Sequence, residues 1–419
     1  MRDAWSKILE LLPECNCDID ALCAGTTYFS LSAKDVFRAA QALPLHHQLC
    51  YGGVRLLLSA CLEEFSDLFQ EGSRLWSEVT VPAPPFLLYV FQEACPDIRF
   101  SCGAFFAQIV LRGILLNREP LSLTSCTVRR CGLNQMRIRL LEEAPIRPPE
   151  YQLQFGVLCD SCCKAGEYAG SMTRTVSVSF PDTPRCSRAL AENFYQSVSE
   201  ELGIQPDCED IRRAFALYGR LLRAGNHIVE LCSRQDREAL WGNSLSLAQS
   251  VLLFTADRKE RFLTGLEMLA RELEDAPCRK SSARMYCYYI PFLYPEIDRR
   301  FRERGVELVG NAAFLQTGRS VGLDLSSMTE AWLDNMANRA TPEQQCAAIA
   351  KAAEAFGCTH YLTGFFGFDR RLGACTPMKR KILKEQYGIT TRVLDTDFWC
   401  ESATFGNPED RIEMLCINI

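Results

Sequence analysis

The sequence predicts an α/β protein with two domains, each built on a parallel sheet. Short apolar runs alternate with helical patterns twice along the chain, and a mostly helical stretch separates the two series. Strands that alternate with helices favour a parallel sheet covered by helices on both faces. The 419 residues are enough for two or three domains. We expect a helical N-terminal segment, a first α/β domain, a helical connector and a second α/β domain at residues 1–75, 76–205, 206–280 and 281–419.

The composition is that of an ordinary folded protein, with 47% hydrophobic and 23% charged residues. The net charge is −6 and the chain has no basic tract, so nucleic acid is not an expected partner. The first 15 residues place charges inside their apolar pattern, unlike a signal peptide. No apolar run reaches the about 18 residues that a spanning helix needs. We therefore expect a cytoplasmic protein with no membrane partner.

The unusual feature is 22 cysteines against four histidines. In a chain expected to be cytoplasmic, a secreted disulfide scaffold is excluded. So many thiols are easiest to keep reduced in an anaerobic cytoplasm. The sequence also lacks a P-loop, a glycine-rich nicotinamide loop, a nucleophile elbow and an HExxH zinc helix. Thiol chemistry is what remains, although most of the cysteines are expected to be structural.

The N-terminal segment shows helical spacing of apolar residues, with no strand-like alternation. The predicted helices are 3–12, 33–43 and 54–69. Cys15, Cys17 and Cys23 are predicted to lie in a loop between two of them, at a spacing typical of no known ligand set.

The first α/β domain begins with a helix at 86–91 that is entered through Pro84 and Pro85. Short apolar runs after it predict strands, and amphipathic stretches between the runs predict helices. The predicted strands are 98–101, 121–125, 152–158 and 175–180, and the helices are 104–116, 133–142 and 168–172.

The connector is predicted to contain helices, with Asp207 and Asp210 as candidate caps for the first of them. Strands and helices then alternate again, which predicts a second domain of similar architecture. The connector helices are 210–222, 247–254 and 259–274. The later strands are 285–290, 306–309, 359–366 and 391–394, and the later helices are 295–304, 341–356, 378–387 and 408–416.

The stretch Tyr151–Lys164, YQLQFGVLCDSCCK, is the strongest candidate site. A buried strand runs directly into Cys159, Cys162 and Cys163. Ligands of open α/β sheets collect at the carboxyl ends of strands, so thiols at this point favour metal or redox chemistry. The alternative is that they are packing cysteines, because free cysteine is often buried.

Three other cysteines follow predicted strands. Cys126 and Cys131 come after the strand at 121–125, and Cys375 comes after the strand at 359–366. Iron–sulfur clusters are held mainly by cysteine thiolates, and their ligands can come from separate segments. If the two domains face each other, Cys159 and Cys375 could point into one cleft. Each of these cysteines could equally be a buried small hydrophobe.

Several segments resemble the cluster-binding subunits, of the D-component type, of the 2-hydroxyacyl-CoA dehydratase and benzoyl-CoA reductase family. Gly156–Asp160 (GVLCD) resembles a family strand that ends in a Cys-Asp pair, and Cys131-Gly132-Leu133 stands where the family has a cysteine that opens a helix. Further similar segments are 184–203, 283–310, 389–399 and 409–417. The resemblance runs from about residue 76 to residue 419.

The resemblance implies two Rossmann-like (flavodoxin-like) domains with a [4Fe-4S] cluster between them. It also implies a heterodimer with a homologous second subunit, an ATP-dependent activator iron–sulfur protein and an acyl-CoA substrate. The activator would deliver one electron, and the thioester would become a ketyl radical that loses its β-substituent or accepts ring reduction. Cys131 and Cys159 match two cluster ligands, and Cys375 is the candidate for the third; Cys126, Cys162 and Cys163 are further candidates.

The third ligand position departs from the family, since Gly367-Phe368-Asp369 stands where a cysteine is expected. Three hypotheses stay open. The chain is a dehydratase or reductase subunit that holds a cluster through Cys131, Cys159 and Cys375. It is a relative with a different, larger cluster, in which Cys159, Cys162 and Cys163 share ligation. Or it is a non-catalytic scaffold or partner subunit that has lost the site.

Overall fold

The predicted α/β class is confirmed by two four-stranded sheets whose strands are all parallel. The computed structural model describes residues 1–70, 75–80, 83–116, 132–142, 148–156, 160–179, 187–234, 240–252, 254–277, 283–288, 295–310, 322–334, 341–365, 370–395 and 408–417. Within these ranges, no helix combines the length and the apolar character needed to cross a membrane.

The N-terminal segment is helical, as predicted, and its helices are α1 (Arg2–Leu11), α2 (Ile19–Tyr28), α3 (Ala33–His46) and α4 (Gly52–Asp67). Helix α2 was not predicted, because its sequence IDALCAGTTY has only weak amphipathic spacing. It begins at the Asp18 cap, whose carboxylate accepts a hydrogen bond from the Asp20 N–H. The prediction of a loop at Cys23 was therefore wrong, since Cys23 lies inside α2.

The first sheet has the strand order β2-β1-β3-β4. Its strands are β1 (Leu75–Val79), β2 (Ile98–Ser101), β3 (Tyr151–Gly156) and β4 (Arg174–Ser179). Strand β1 was not predicted, because the polar residues Ser77 and Glu78 interrupt its apolar run although both are buried. The strand predicted at 121–125 lies outside the described residues.

The helices of this region are α5 (Pro85–Ala94), α6 (Gly103–Gln108), α7 (Gly132–Glu142), α8 (Asp160–Ala169) and α9 (Ser187–Leu202). A π-helical stretch, Ile109–Ile114, continues α6. Helix α8 begins eight residues before the predicted start at residue 168. Helix α9 lies over the apolar face of the sheet, where the rings of Phe155 and Phe194 have centroids 5.0 Å apart.

The connector consists of α10 (Cys208–Ser233), α11 (Gly242–Ser250) and α12 (Lys259–Glu274). Of the two predicted caps of α10, Asp207 is the N-cap, because its carboxylate accepts hydrogen bonds from the N–H groups of Glu209 and Asp210. Asp210 lies inside the first turn, where its carboxylate accepts a hydrogen bond from the Asp207 N–H.

The second sheet has the order β6-β5-β7-β8, which repeats the arrangement of the first. Its strands are β5 (Ala283–Cys287), β6 (Val306–Val309), β7 (His360–Phe365) and β8 (Thr390–Asp395), and its helices are α13 (Pro295–Glu303), α14 (Leu325–Asp334), α15 (Pro342–Ala355), α16 (Arg370–Tyr387) and α17 (Pro408–Leu415). Helix α14 was not predicted. Helix α16 contains Pro377 and begins eight residues before the predicted start at residue 378.

Helices α4 and α12 form a close antiparallel pair that joins the N-terminal segment to the connector. A Cβ atom on Gly53 would lie 2.5 Å from the backbone nitrogen of Leu269, so this approach requires glycine. The Glu272 carboxylate accepts hydrogen bonds from the first N–H groups of α4, on Gly52 and Gly53.

We expect Gly53→Ala to destabilise the protein by about 2 kcal/mol or more, because overpacking against a backbone that cannot yield is costly. The matched control is Gly219→Ala in α10, where the nearest atom to a new Cβ lies 3.4 Å away. The unfolding free energy of that variant should equal that of the wild type or exceed it by up to about 1 kcal/mol, because alanine has a higher helix propensity than glycine. Urea unfolding followed by circular dichroism measures both, and equal midpoints for the two variants would contradict the packing argument.

Candidate functional site

The carboxyl ends of the two sheets are where a parallel α/β fold places its ligands. In the first sheet, β3 ends at Gly156 and α8 begins at Asp160. In the second, β7 ends at Phe365 and α16 begins at Arg370. Strands β3 and β7 occupy the same position in their sheets, so the two ends correspond.

Helices α7 and α8 lie side by side and begin at the same edge of the first sheet. Near their last residues, the Tyr168 hydroxyl donates a 2.6 Å hydrogen bond to the Glu142 carboxylate, so their carboxyl ends are joined. Helix α8 follows β3 directly and therefore starts at the carboxyl end of that strand. Two helix N-termini, each with a partial positive charge, thus face one edge.

The predicted site residues are only partly covered by the described ranges. Cys126, Cys131 and Cys159 lie outside them; in the chain, Cys131 directly precedes α7 and Cys159 directly precedes α8. Cys162 and Cys163 belong to the first turn of α8, of which the backbone alone is described.

Cys375 was expected in the loop or helix start after the strand, and it lies in the second turn of α16 instead. Its side chain is partly buried, and the next residue, Thr376, is buried. Among the residues with described side chains, no group of three or more potential ligands could hold a metal ion. The set Cys131, Cys159 and Cys375 therefore stays a prediction.

A helix from the second half of the chain covers the end of β3. The ring of Trp332, on α14, packs edge-to-face on Phe155, with centroids 5.3 Å apart and an interplanar angle of 69°, and Phe155 is the last residue before Gly156. Trp332 is fully buried, and α14 also packs on α9. Sequence reasoning missed this aromatic cover, because α14 was not recognised as a helix.

The other face of the first sheet is polar and buried, which is unusual for a parallel sheet covered on both sides. Glu78 on β1 stands in register with Ser101 on β2 and with Gln152 on β3. We call the buried polar side chains that β1, β2 and β3 place on this face the polar layer; they are Arg99, Ser101, Glu78, Gln152 and Gln154, all less than 10% exposed.

Gln154 marks the end of the polar layer nearest to Gly156. Helix α8 passes so close to it that a Cβ on Gly166 would lie 1.3 Å from the Gln154 side-chain oxygen. The glycine thus allows α8 to rest on the polar side chain. Neighbouring Gln152 accepts a 2.7 Å hydrogen bond from the guanidinium of Arg137, on α7.

Burial raises the pKa of the Glu78 carboxyl from 4.5 to about 7. The N–H groups of Ala104 and Gly103 and the charges of Arg137 and Arg99 oppose this shift. The Ala104 N–H lies 3.1 Å from Oε1 of Glu78, at the N-terminus of α6.

A second buried carboxyl, Glu64 of α4, lies next to Ser101 at the β2 side of the polar layer. Burial raises its pKa to about 7 as well. Its Oε2 accepts a 2.6 Å hydrogen bond from the Ser101 hydroxyl, and its Oε1 accepts a 2.7 Å hydrogen bond from the Arg258 N–H. The Arg99 guanidinium lies 3.6 Å away. Two carboxyls with raised pKa values thus lie at this face of the first sheet, Glu78 on β1 and Glu64 on α4.

Two buried histidines lie apart from this layer, at the end of α3. Burial lowers the pKa of His46 and of His47 to about 4. The neutral His47 ring donates through Nε2 to the Gly113 carbonyl at 2.9 Å, and the Asn243 amide donates to the His46 carbonyl at 3.3 Å. Through these contacts, the two histidines join α3 to the π-helical stretch and to α11, which is a structural role.

We expect Glu78→Gln to become increasingly more stable than the wild type as the pH rises. A raised pKa means that the folded state holds the proton more tightly, so this contribution to stability is complete below pH 4.5 and is lost by about pH 7. Glutamine has no proton to lose. The difference in unfolding free energy between variant and wild type should grow by roughly 3 kcal/mol between pH 4.5 and pH 8.

Urea unfolding across this pH range measures the difference. The histidine pair titrates in an overlapping window, but it is present in both proteins and cancels. Glu354→Gln, at an exposed position of α15, controls for the loss of one charge and should give a flat difference. A flat difference for Glu78→Gln would show that folding does not raise the pKa of this carboxyl.

A comparison with known families now bears on this site. The sequence model of the family "2-hydroxyglutaryl-CoA dehydratase, D-component" matches residues 114–416, which contain β3, β4 and the whole second sheet. The search of curated proteins found no match. The match spans well over half of the 419 residues. The chain therefore belongs to the 2-hydroxyglutaryl-CoA dehydratase D-component family and is a subunit of the 2-hydroxyacyl-CoA dehydratase type.

Proposed function

We propose that this chain is the iron–sulfur subunit of an enzyme that dehydrates a 2-hydroxyacyl-CoA thioester. An ATP-dependent activator protein supplies one electron, and the ketyl radical of the thioester then expels the hydroxyl group of C2. Loss of a proton from C3 and return of the electron complete the elimination of water, which consumes no net electron. The observation that carries the proposal is the family match over residues 114–416, which include Cys131, Cys159 and Cys375.

The first two ligands in this proposal are Cys131 and Cys159. They directly precede α7 and α8, whose N-termini face the same edge of the first sheet. A helix N-terminus stabilises a thiolate, which is the form of cysteine that binds iron. The pairing of two such helix starts supports a site at this edge.

The third ligand in this proposal is Cys375, at the corresponding end of the second sheet. It follows β7 and lies partly buried in the second turn of α16. A [4Fe-4S] cluster held by three thiolates would supply a low-potential electron and one iron position open to substrate or water.

The residues of this chain would shield the reaction from water. Phe155, Phe194 and Trp332 form an apolar wall at the end of β3. Water exclusion strengthens electrostatic interactions in an active site and prevents side reactions of reactive intermediates. On the opposite face, Gly166 and Arg137 fix the glutamines of the polar layer, which support the strand that leads to Cys159.

One observation favours a second candidate, a non-catalytic partner subunit with a lost or altered cluster site. The segment between β7 and α16 carries Gly367-Phe368-Asp369, with no cysteine, and Cys375 lies further on inside the helix. A related low-potential reductase, of the benzoyl-CoA type or with a larger cluster, fits the same family membership.

The proposed assembly is a heterodimer with a homologous subunit in an anaerobic cytoplasm. A subunit that receives electrons one at a time from an activator needs an accessible face near its cluster. The carboxyl edge of a parallel sheet is where such a face would lie.

The test is iron and acid-labile sulfide per chain in anaerobically purified protein, with the EPR spectrum after reduction. We expect about four irons per chain and a [4Fe-4S]¹⁺ signal. About eight irons would favour the larger cluster. Absence of iron after reconstitution would leave the partner-subunit candidate.

We expect Cys131→Ser, Cys159→Ser and Cys375→Ser each to lose most of the iron. Cys416→Ser is the matched control for Cys375→Ser, because Cys416 is also partly buried and lies in the same half of the chain. It should keep its iron. Full iron content in Cys375→Ser, with loss in Cys162→Ser or Cys163→Ser, would transfer the ligand role to the residues of α8.

A further inference from the structure

The short loop between α1 and α2 carries two thiols in direct contact. The sulfur atoms of Cys15 and Cys17 are 3.1 Å apart. Both side chains are partly buried, and Asn16 between them is exposed, so solvent reaches the loop. The proposed function does not use either of these two thiols.

Contacts from three directions hold this loop in place. The Cys15 N–H donates to the Leu12 carbonyl at 2.9 Å, and the Asn16 N–H donates to the Glu63 carboxylate at 2.8 Å. The Arg261 guanidinium donates to the Glu14 carbonyl at 2.5 Å. The two thiols are therefore brought together by the surrounding fold, without a covalent bond between them.

The geometry suits a disulfide that forms and breaks easily. The sulfurs need to approach by about 1 Å to reach the disulfide distance of about 2.05 Å. Residues two apart have Cα atoms at most about 7 Å from each other, close to the upper limit of about 6.8 Å for a disulfide. Strained or exposed disulfides of this kind are the labile and regulatory ones.

We propose that Cys15 and Cys17 are a redox-modification site, at which a low-molecular-weight disulfide of the glutathione type is reduced and an intramolecular disulfide forms. Each turnover takes two electrons from the protein thiols and yields two molecules of the small thiol. Reversible oxidation of this kind spares thiols from further, irreversible oxidation.

The exchange balances whichever of the two sulfurs attacks first. One of them, as the thiolate, attacks the small disulfide, forms a mixed disulfide and releases one thiolate. The other thiol, held 3.1 Å away, gives its proton to that thiolate and attacks the first protein sulfur, which expels the second thiolate.

The test treats anaerobically purified protein with oxidised glutathione, alkylates the remaining thiols and maps tryptic peptides by mass spectrometry. Peptide 8–34 holds Cys15, Cys17 and Cys23. We expect one alkyl group on this peptide, at Cys23, and a disulfide between the other two. A reducing agent should restore three alkylated cysteines.

Two variants test the pairing of the thiols. Cys15→Ser and Cys17→Ser should both lose the disulfide, and at least one of them should trap glutathione on the remaining thiol, because the resolving thiol is gone. Cys23→Ser should leave the disulfide unchanged, and the exposed thiol Cys50 should gain at most a glutathione adduct. Three alkylated cysteines in treated wild type, a disulfide to Cys23, or the absence of a glutathione adduct from both single variants would each overturn the proposal.

Discussion

Two adjacent glutamates on α4, both fully buried, tie the N-terminal segment to the rest of the molecule. Glu63 accepts hydrogen bonds from Arg261 on α12 and from the backbone of the first loop. Glu64 points to the first sheet and binds Ser101 on β2. Because buried charges are costly unless they are paired, these contacts specify how α4, α12 and the sheet come together.

The cost of burying an unpaired charge also explains why the polar layer exists. A parallel sheet buried on both faces is normally apolar, but here α4 and α7 bring Glu64 and Arg137 to one face. The strands carry polar side chains that form hydrogen bonds with these two groups, and the hydrogen bonds fix the position of each covering helix. As the pH rises from about 4 to about 7, the raised carboxyl pKa makes the folded state less stable, whereas the lowered histidine pKa makes it more stable.

The fold class could be predicted from the sequence, because short strand-like runs such as β3, whose apolar residues recur at every second position, alternate with helices of clear amphipathic spacing. Strand β1 could not, since Ser77 and Glu78 interrupt its apolar run and their burial depends on tertiary packing. Helix α16 was predicted too short, and the structure shows that it accommodates Pro377 in its interior. Of the candidate site, the resemblance identified Cys131 and Cys159, whereas the aromatic cover by Trp332 depends on a tertiary contact that no local pattern indicates.

The arrangement of the first sheet also separates the matched region from the unit that folds. The matched region starts at residue 114, yet β3 takes its hydrogen bonds on one side from β1, which lies before that point together with β2. The segment that the family model matches is thus smaller than the folding unit of this chain. A fragment that began at residue 114 would leave β3 with unpaired backbone groups along one side, so it would expose a strand edge that can pair with other chains.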